Sequence, residues 1–162
     1  SAYEVQYRLA GKCPSVAPVL DFCAKDTKEP YFVYKYLGTK SARSVLDKPG
    51  HFTISAGMFS AWLDHAINVV APCVAAQNMI IYDMKPDHIL LDVSGQHVKA
   101  DEFALIDADG WPPASWFLPG GVSVEGATAI NRFFLMEKGF KEFYGGISHK
   151  DDSEAWRAIK LR

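Results

Sequence analysis

The sequence has little that would tie it to a nucleic acid, a membrane or a metal-stapled scaffold. Seventeen basic residues stand against nineteen acidic ones, a net charge of −2. No positive surplus exists to draw a phosphate backbone or an anionic lipid surface, so neither nucleic acid nor membrane is expected as a partner. Cysteine is scarce too. Cys13, Cys23 and Cys73 are odd in number, lie in apolar contexts and form no C-x-x-C pair, which argues against a zinc site or disulfide framework and for buried thiols in a reducing compartment. No uninterrupted apolar run reaches transmembrane length, and the first residues lack the charged-then-apolar order of a signal peptide. We therefore expect a cytoplasmic protein, or an effector delivered into a host cell, whose composition would be the same. What is present is an ordinary globular composition, 49% hydrophobic and 22% charged over 162 residues, enough for a domain with a real core.

The densest chemistry lies between Ile80 and Asp92, I-I-Y-D-M-K-P-D-H-I-L-L-D. Asp83, Lys85 and His88 share a short polar loop between a helix and an apolar strand (Ile89, Leu90, Leu91). A loop braced on both sides holds its side chains rigidly at an edge, where a general base can meet its substrate. Asp83 is the candidate base. The stretch resembles the catalytic loop of the protein-kinase superfamily, H-R-D-L-K-P-x-N-I-L-L-D. Aspartate, lysine, proline and the following strand coincide, whereas Ile81, Tyr82 and His88 stand where the family has histidine, arginine and asparagine. A second stretch, F-A-L-I-D-A-D-G, ends at Gly110 and resembles the strand and D-F-G of that family, with Ala108 and Asp109 in place of phenylalanine and glycine. Between the two motifs there is room for two strands joined by a turn at Val93-Ser94-Gly95-Gln96.

The resemblance implies an α+β, protein-kinase-like fold: a partial small lobe of a helix plus two strands over residues 1–37, and a mostly helical large lobe over 38–162. It implies an ATP-dependent phosphotransferase moving the γ-phosphoryl to a hydroxyl, with Asp83 as base and Lys85 on the transferring phosphoryl. Asp107, His88 and Asp109 would hold Mg2+, or Mn2+, since an imidazole is a poor ligand for a hard cation. Glu4 would pair with a strand lysine that grips the phosphates, although a solvated glutamate in a first helical turn fits the same residue. Tyr34 falls at the gatekeeper position, Lys35, Tyr36 and Leu37 at the hinge that meets adenine, and Leu90 at the floor of the nucleotide site. No glycine-rich loop and no V-A-I-K strand precede Glu4, so a missing segment or a partner chain is expected to complete the small lobe. The acceptor is a protein hydroxyl or, as in kinases of the aminoglycoside and choline type, a small molecule. A pseudokinase serving as a binding module is the competing implication, drawn from His88 and Ala108.

The rest of the chain reads as ordered elements. Ala2–Ala10 has a helical stripe stopped at Gly11-Lys12-Cys13-Pro14. Val16–Phe22 and Pro30–Tyr36 read as a hairpin, and Ser41–Leu46 as a short helix. The longest helical pattern runs from Thr53 to Gln77 with Ile54, Met58, Trp62, Ala66, Val70 and Val74 on one face, to be kinked or split at Pro72 and ended by a left-handed Asn78. His65 on this helix reads as structural. After Gly110 neither A-P-E nor D-x-W-x-x-G occurs; the run G-G-V-S-V-E-G reads as a flexible turn rather than a phosphate loop, since no G-K-[ST] follows it. An aromatic helix is expected over Ala127–Tyr144, and a last helix capped by Asp151 or Asp152.

Overall fold

A computed structural model describes residues 2–17, 19–23, 31–34, 40–48, 50–94, 97–98, 103–117, 120, 123–147 and 153–160. The protein is an α+β chain in which helices dominate and a small three-stranded antiparallel sheet carries the polar loop. Helix α1 (Ala2–Ala10) is followed by the antiparallel pair β1 (Val19–Cys23) and β2 (Tyr31–Tyr34). The expected first strand begins late. Val16 and Ala17 instead run parallel to Leu105, with Leu105 N donating to Ser15 O and Ala17 N to Leu105 O.

The sheet is made by β3 (Lys40–Ser41), β4 (Ile89–Leu91) and β7 (Ala104–Leu105), in the order β3-β4-β7. Val93 and Ser94, expected in a turn, form strand β5 and pair with β6 (His97–Val98). Helix α2 (Ala42–Leu46) starts where the Ser41 hydroxyl accepts from Ser44 N, which satisfies one of the amides that a helix start leaves open.

The long central helix runs from Ala56 to Ala76: α3 (Ala56–His65), a π-helical turn (Ala66–Val70) and α4 (Ala71–Ala76). It begins at Ser55, whose hydroxyl accepts from Met58 N. It ends in a Schellman closure, with Asn78 N donating to Ala75 O, Met79 N to Val74 O, and Asn78 at φ 59°. Its apolar residues recur every four positions, a step that overshoots a straight α-helix by about 40° each time. The wider π turn takes back part of that rotation and keeps Trp62, Ala66, Val70 and Val74 buried on one side. Pro72 does not split the helix. The carbonyl of Ile67, on the π turn before it, accepts from Arg132 Nε at 3.0 Å. By length and composition alone this helix could also cross a membrane, although Asp64, His65 and Asn68 interrupt any contiguous apolar run.

A second long helix, α5 (Val124–Phe134), a π-helical stretch (Leu135–Phe140) and α6 (Lys141–Gly146), lies against the first, and α7 (Ser153–Lys160) packs on α3. Phe59 is the hub of the core. Its ring lies 5.5–6.1 Å from those of Trp62, Phe140, Phe143, Tyr144 and Trp156.

Cys13 and Cys73 are joined by a disulfide across 60 residues. This corrects the expectation of three free thiols. Odd number and missing C-x-x-C spacing say nothing about which distant segments meet, and here the loop after α1 lands on α4. The side chain of Cys23 lies outside the described residues.

Candidate active site

The polar loop leaves α4 through Met79–Ile81, which is buried, and enters β4 at Ile89. What holds its entry is Asn131 of α5. The Asn131 side-chain oxygen accepts from Ile81 N at 2.7 Å, and its amide nitrogen donates to Met79 O (3.2 Å) and Ala71 O (3.3 Å). Asn131 is fully buried, so these bonds supply what water cannot. Below the loop, Gly139 meets Met84 and Ile89: a Cβ there would stand 3.1 Å from Met84 Cγ and 3.3 Å from Ile89 Cδ1. Glycine lets the helix backbone approach the loop this closely.

Between these supports the candidate residues Asp83 and Lys85 are exposed. Asp83 is exposed and holds a left-handed backbone (φ 53°), a conformation that aspartate tolerates better than most residues. Lys85 is exposed and extended, and its carbonyl accepts from His88 N, closing the 3-10 turn Pro86–His88. The neighbouring Asp87 accepts from Arg43 Nε at 3.2 Å, while Arg43 Nη2 donates to Glu142 at 2.7 Å, so one guanidinium clips the loop to α2 and α6. Desolvation pushes the Asp87 carboxyl up, but the hydrogen bond from Arg43, the backbone and the charges of Arg43 and Lys85 outweigh it and hold the group below its ordinary range. Glu142 first and Asp87 second hold the Arg43 guanidinium up. Tyr82, half-exposed, packs its ring on Phe117 and Phe134.

Because β4 and β7 are antiparallel with Ile89 opposite Leu105, the residues before β4 and those after β7 emerge at the same end of the sheet. His88 and Asp107 meet there. His88 Nε2 lies 3.2 Å from Asp107 Oδ2, the imidazole mostly buried and the carboxylate half-exposed. Asp107 is left-handed (φ 60°, ψ 38°). Ile106 N donates to His88 O just before it, and Ala108 N donates to the side chain of Gln6 just after it.

The other expected site residues are placed unevenly. Leu90 is partly buried in β4, opposite Ser41 and Ala104. Glu4 lies in α1, Tyr34 at the end of β2 and Asp109 in the 3-10 turn Ala108–Gly110, but their side chains are outside the described residues, as are Lys35, Tyr36 and Leu37 altogether. His65 is structural in geometry, its Nε2 2.8 Å from Ser15 Oγ.

The donor set can be tested against a divalent cation. Adjacent ligands about 2.1 Å from an octahedral ion sit about 3 Å apart, close to the His88–Asp107 separation of 3.2 Å. One nitrogen and one oxygen favour Mn2+, which accepts a nitrogen ligand more readily, over Mg2+. Among the described residues no group of three or more such ligands gathers, so other donors, phosphate oxygens among them, would have to complete the shell.

Gln6, Asn131 and Arg43 were not anticipated. Two of them carried a signal: Gln6 falls on the stripe of Ala2, Val5 and Leu9, and Asn131 on that of Ala127, Thr128 and Leu135. A polar side chain at an apolar stripe position has to find buried partners. No protein-family model matches this chain, and no curated protein does.

Proposed function

We propose that this chain is an ATP-dependent phosphotransferase with a compact, protein-kinase-like fold. The observation that carries this reading is the meeting of His88 and Asp107, two of the three residues that the motif resemblance assigns to the cation, at the end of the loop that bears Asp83 and Lys85. Asp83, exposed beside Tyr82, would take the proton of the acceptor hydroxyl as its oxygen bonds to the γ-phosphorus and the bond to ADP breaks. Lys85 would neutralise charge on the transferring phosphoryl. His88 and Asp107 would hold the divalent cation, whose contribution is to neutralise phosphate charge and fix the phosphates in line. Most of the catalytic effect would come from positioning, which suits a loop braced by Asn131, Gly139 and Arg43. The acceptor is a hydroxyl of a protein or of a small molecule.

A second reading is a pseudokinase, a nucleotide-binding module without transfer. It is favoured by residue identity, an imidazole at His88 where the family has an asparagine and Ala108 where it has a phenylalanine. Titration of ATP in Mn2+, in Mg2+ and in chelator, followed by calorimetry, separates the two. For the transferase we expect manganese-dependent binding that Asp107→Ala abolishes, and a shift toward Mg2+ in His88→Asn. Asp83→Asn should keep binding and lose transfer. Nucleotide binding that is equal in chelator and indifferent to Asp107→Ala would leave the binding module instead.

A further inference from the structure

Gln6 is the most deeply buried polar side chain among the described residues of α1, 1% exposed. Its Nε2 donates to Ala17 O at 2.8 Å and its Oε1 accepts from Ala108 N at 2.8 Å. Both partners belong to one short circuit of backbone. Ala17 N donates to Leu105 O, Leu105 N donates to Ser15 O, and the chain then runs through Ile106 and Asp107 to Ala108. Inside that circuit sits Asp107, in a left-handed conformation that aspartate tolerates better than most residues but does not adopt by default. Nothing about an aspartate enforces it; the flanking peptide groups do. Ile106 N is fixed to His88 O on one side, Ala108 N to Gln6 on the other, and Ala108 O accepts from Trp111 N.

We infer that Gln6 is a positioning residue for Asp107: by bonding the peptide that follows, it sets the left-handed turn that presents the carboxylate to His88, and so couples α1 to the cation site. This rests on the phosphotransferase reading for the identity of the ligand, though not for the geometry. Positioning groups of this kind commonly change metal affinity by roughly tenfold to a hundredfold.

The test uses Mn2+ as probe, its free concentration followed by its electron paramagnetic resonance signal, with ATP present. Variants are Gln6→Leu, Asp107→Asn and the double substitution. Gln6→Leu should weaken Mn2+ binding by about tenfold or more, and it should add little in the Asp107→Asn background, because a residue acting through Asp107 has nothing left to position. A purely structural role would lower the melting temperature and weaken both backgrounds alike, which overturns the inference. A folded Gln6→Leu that binds Mn2+ as wild type does overturns it too, with the functional reading intact. Should Gln6→Leu not fold, Gln6→Glu decides. It keeps the oxygen that Ala108 uses and should stay closer to wild type than Asp107→Asn; a loss as large as that of Asp107→Asn overturns the inference. Failure of wild type itself to bind Mn2+ with ATP removes the phosphotransferase reading and this inference together.

Discussion

Asn131 shows how much of the site depends on single polar side chains far from the motif. Its three hydrogen bonds hold Met79, Ile81 and Ala71 in a region closed to water. Asn131→Ala leaves Ile81 N and two carbonyls without partners, and an orphaned buried group costs about 1–3 kcal/mol. We expect a lowered denaturation midpoint in urea with an unchanged m-value, and a loss of any transfer activity beyond what stability explains. Asn131→Asp tests direction: it keeps the acceptor for Ile81 N and sets a carboxylate against two carbonyls, so it should be no better than alanine. Restored stability in the aspartate variant would mean that the Ile81 bond alone matters.

At the scale of elements, the central helix is the beam on which the loop is mounted. Trp62 is fully buried, stacked on Phe143 with ring centroids 6.2 Å apart, and its indole Nε1 finds no partner within the described residues. Its contribution is therefore apolar burial and ring contact, offset in part by an unmatched N–H. Trp62→Ala should destabilise by about 3–5 kcal/mol, the range for deleting a buried aromatic ring, read as a loss of thermal stability. A melting temperature unchanged by it would place that face of the helix at the surface. The π turn follows from the same packing: the four-residue recurrence keeps its buried side only if the helix unwinds somewhere, and it unwinds just before Pro72, where an amide is missing in any case.

Across the whole molecule, the disulfide joins the loop after α1 to α4. Closing a loop of 60 residues removes conformational freedom from the unfolded chain, about 4 kcal/mol in the chain-entropy account. Reduction, or the Cys13→Ala/Cys73→Ala pair, should lower the melting temperature by on the order of ten degrees for a domain of this size. Because that loop also carries Ser15 and Ala17, which bond Leu105, amide exchange around residues 103–108 should rise on reduction. Unaltered exchange there would show that the hydrogen bonds hold the segment without the covalent tie.

The sequence by itself determined the helix over Ala2–Ala10, the long central helix, the left-handed end at Asn78 and the strand after the polar loop. Those are local properties: a 3.6-residue stripe, a residue tolerant of positive φ, a short apolar run after a polar loop. Only the tertiary structure decided that Cys13 pairs with Cys73, that Val93 and Ser94 form a strand, and that His88 reaches Asp107. It also decided that Gln6 and Asn131 hold the backbone beside the site. Each depends on which distant segments share a place in the core, and an intact stripe carries no record of what lies across from it. The polar interruptions at Gln6 and Asn131 were legible as positions that need partners; which backbone groups would supply them became visible only once the chain had closed.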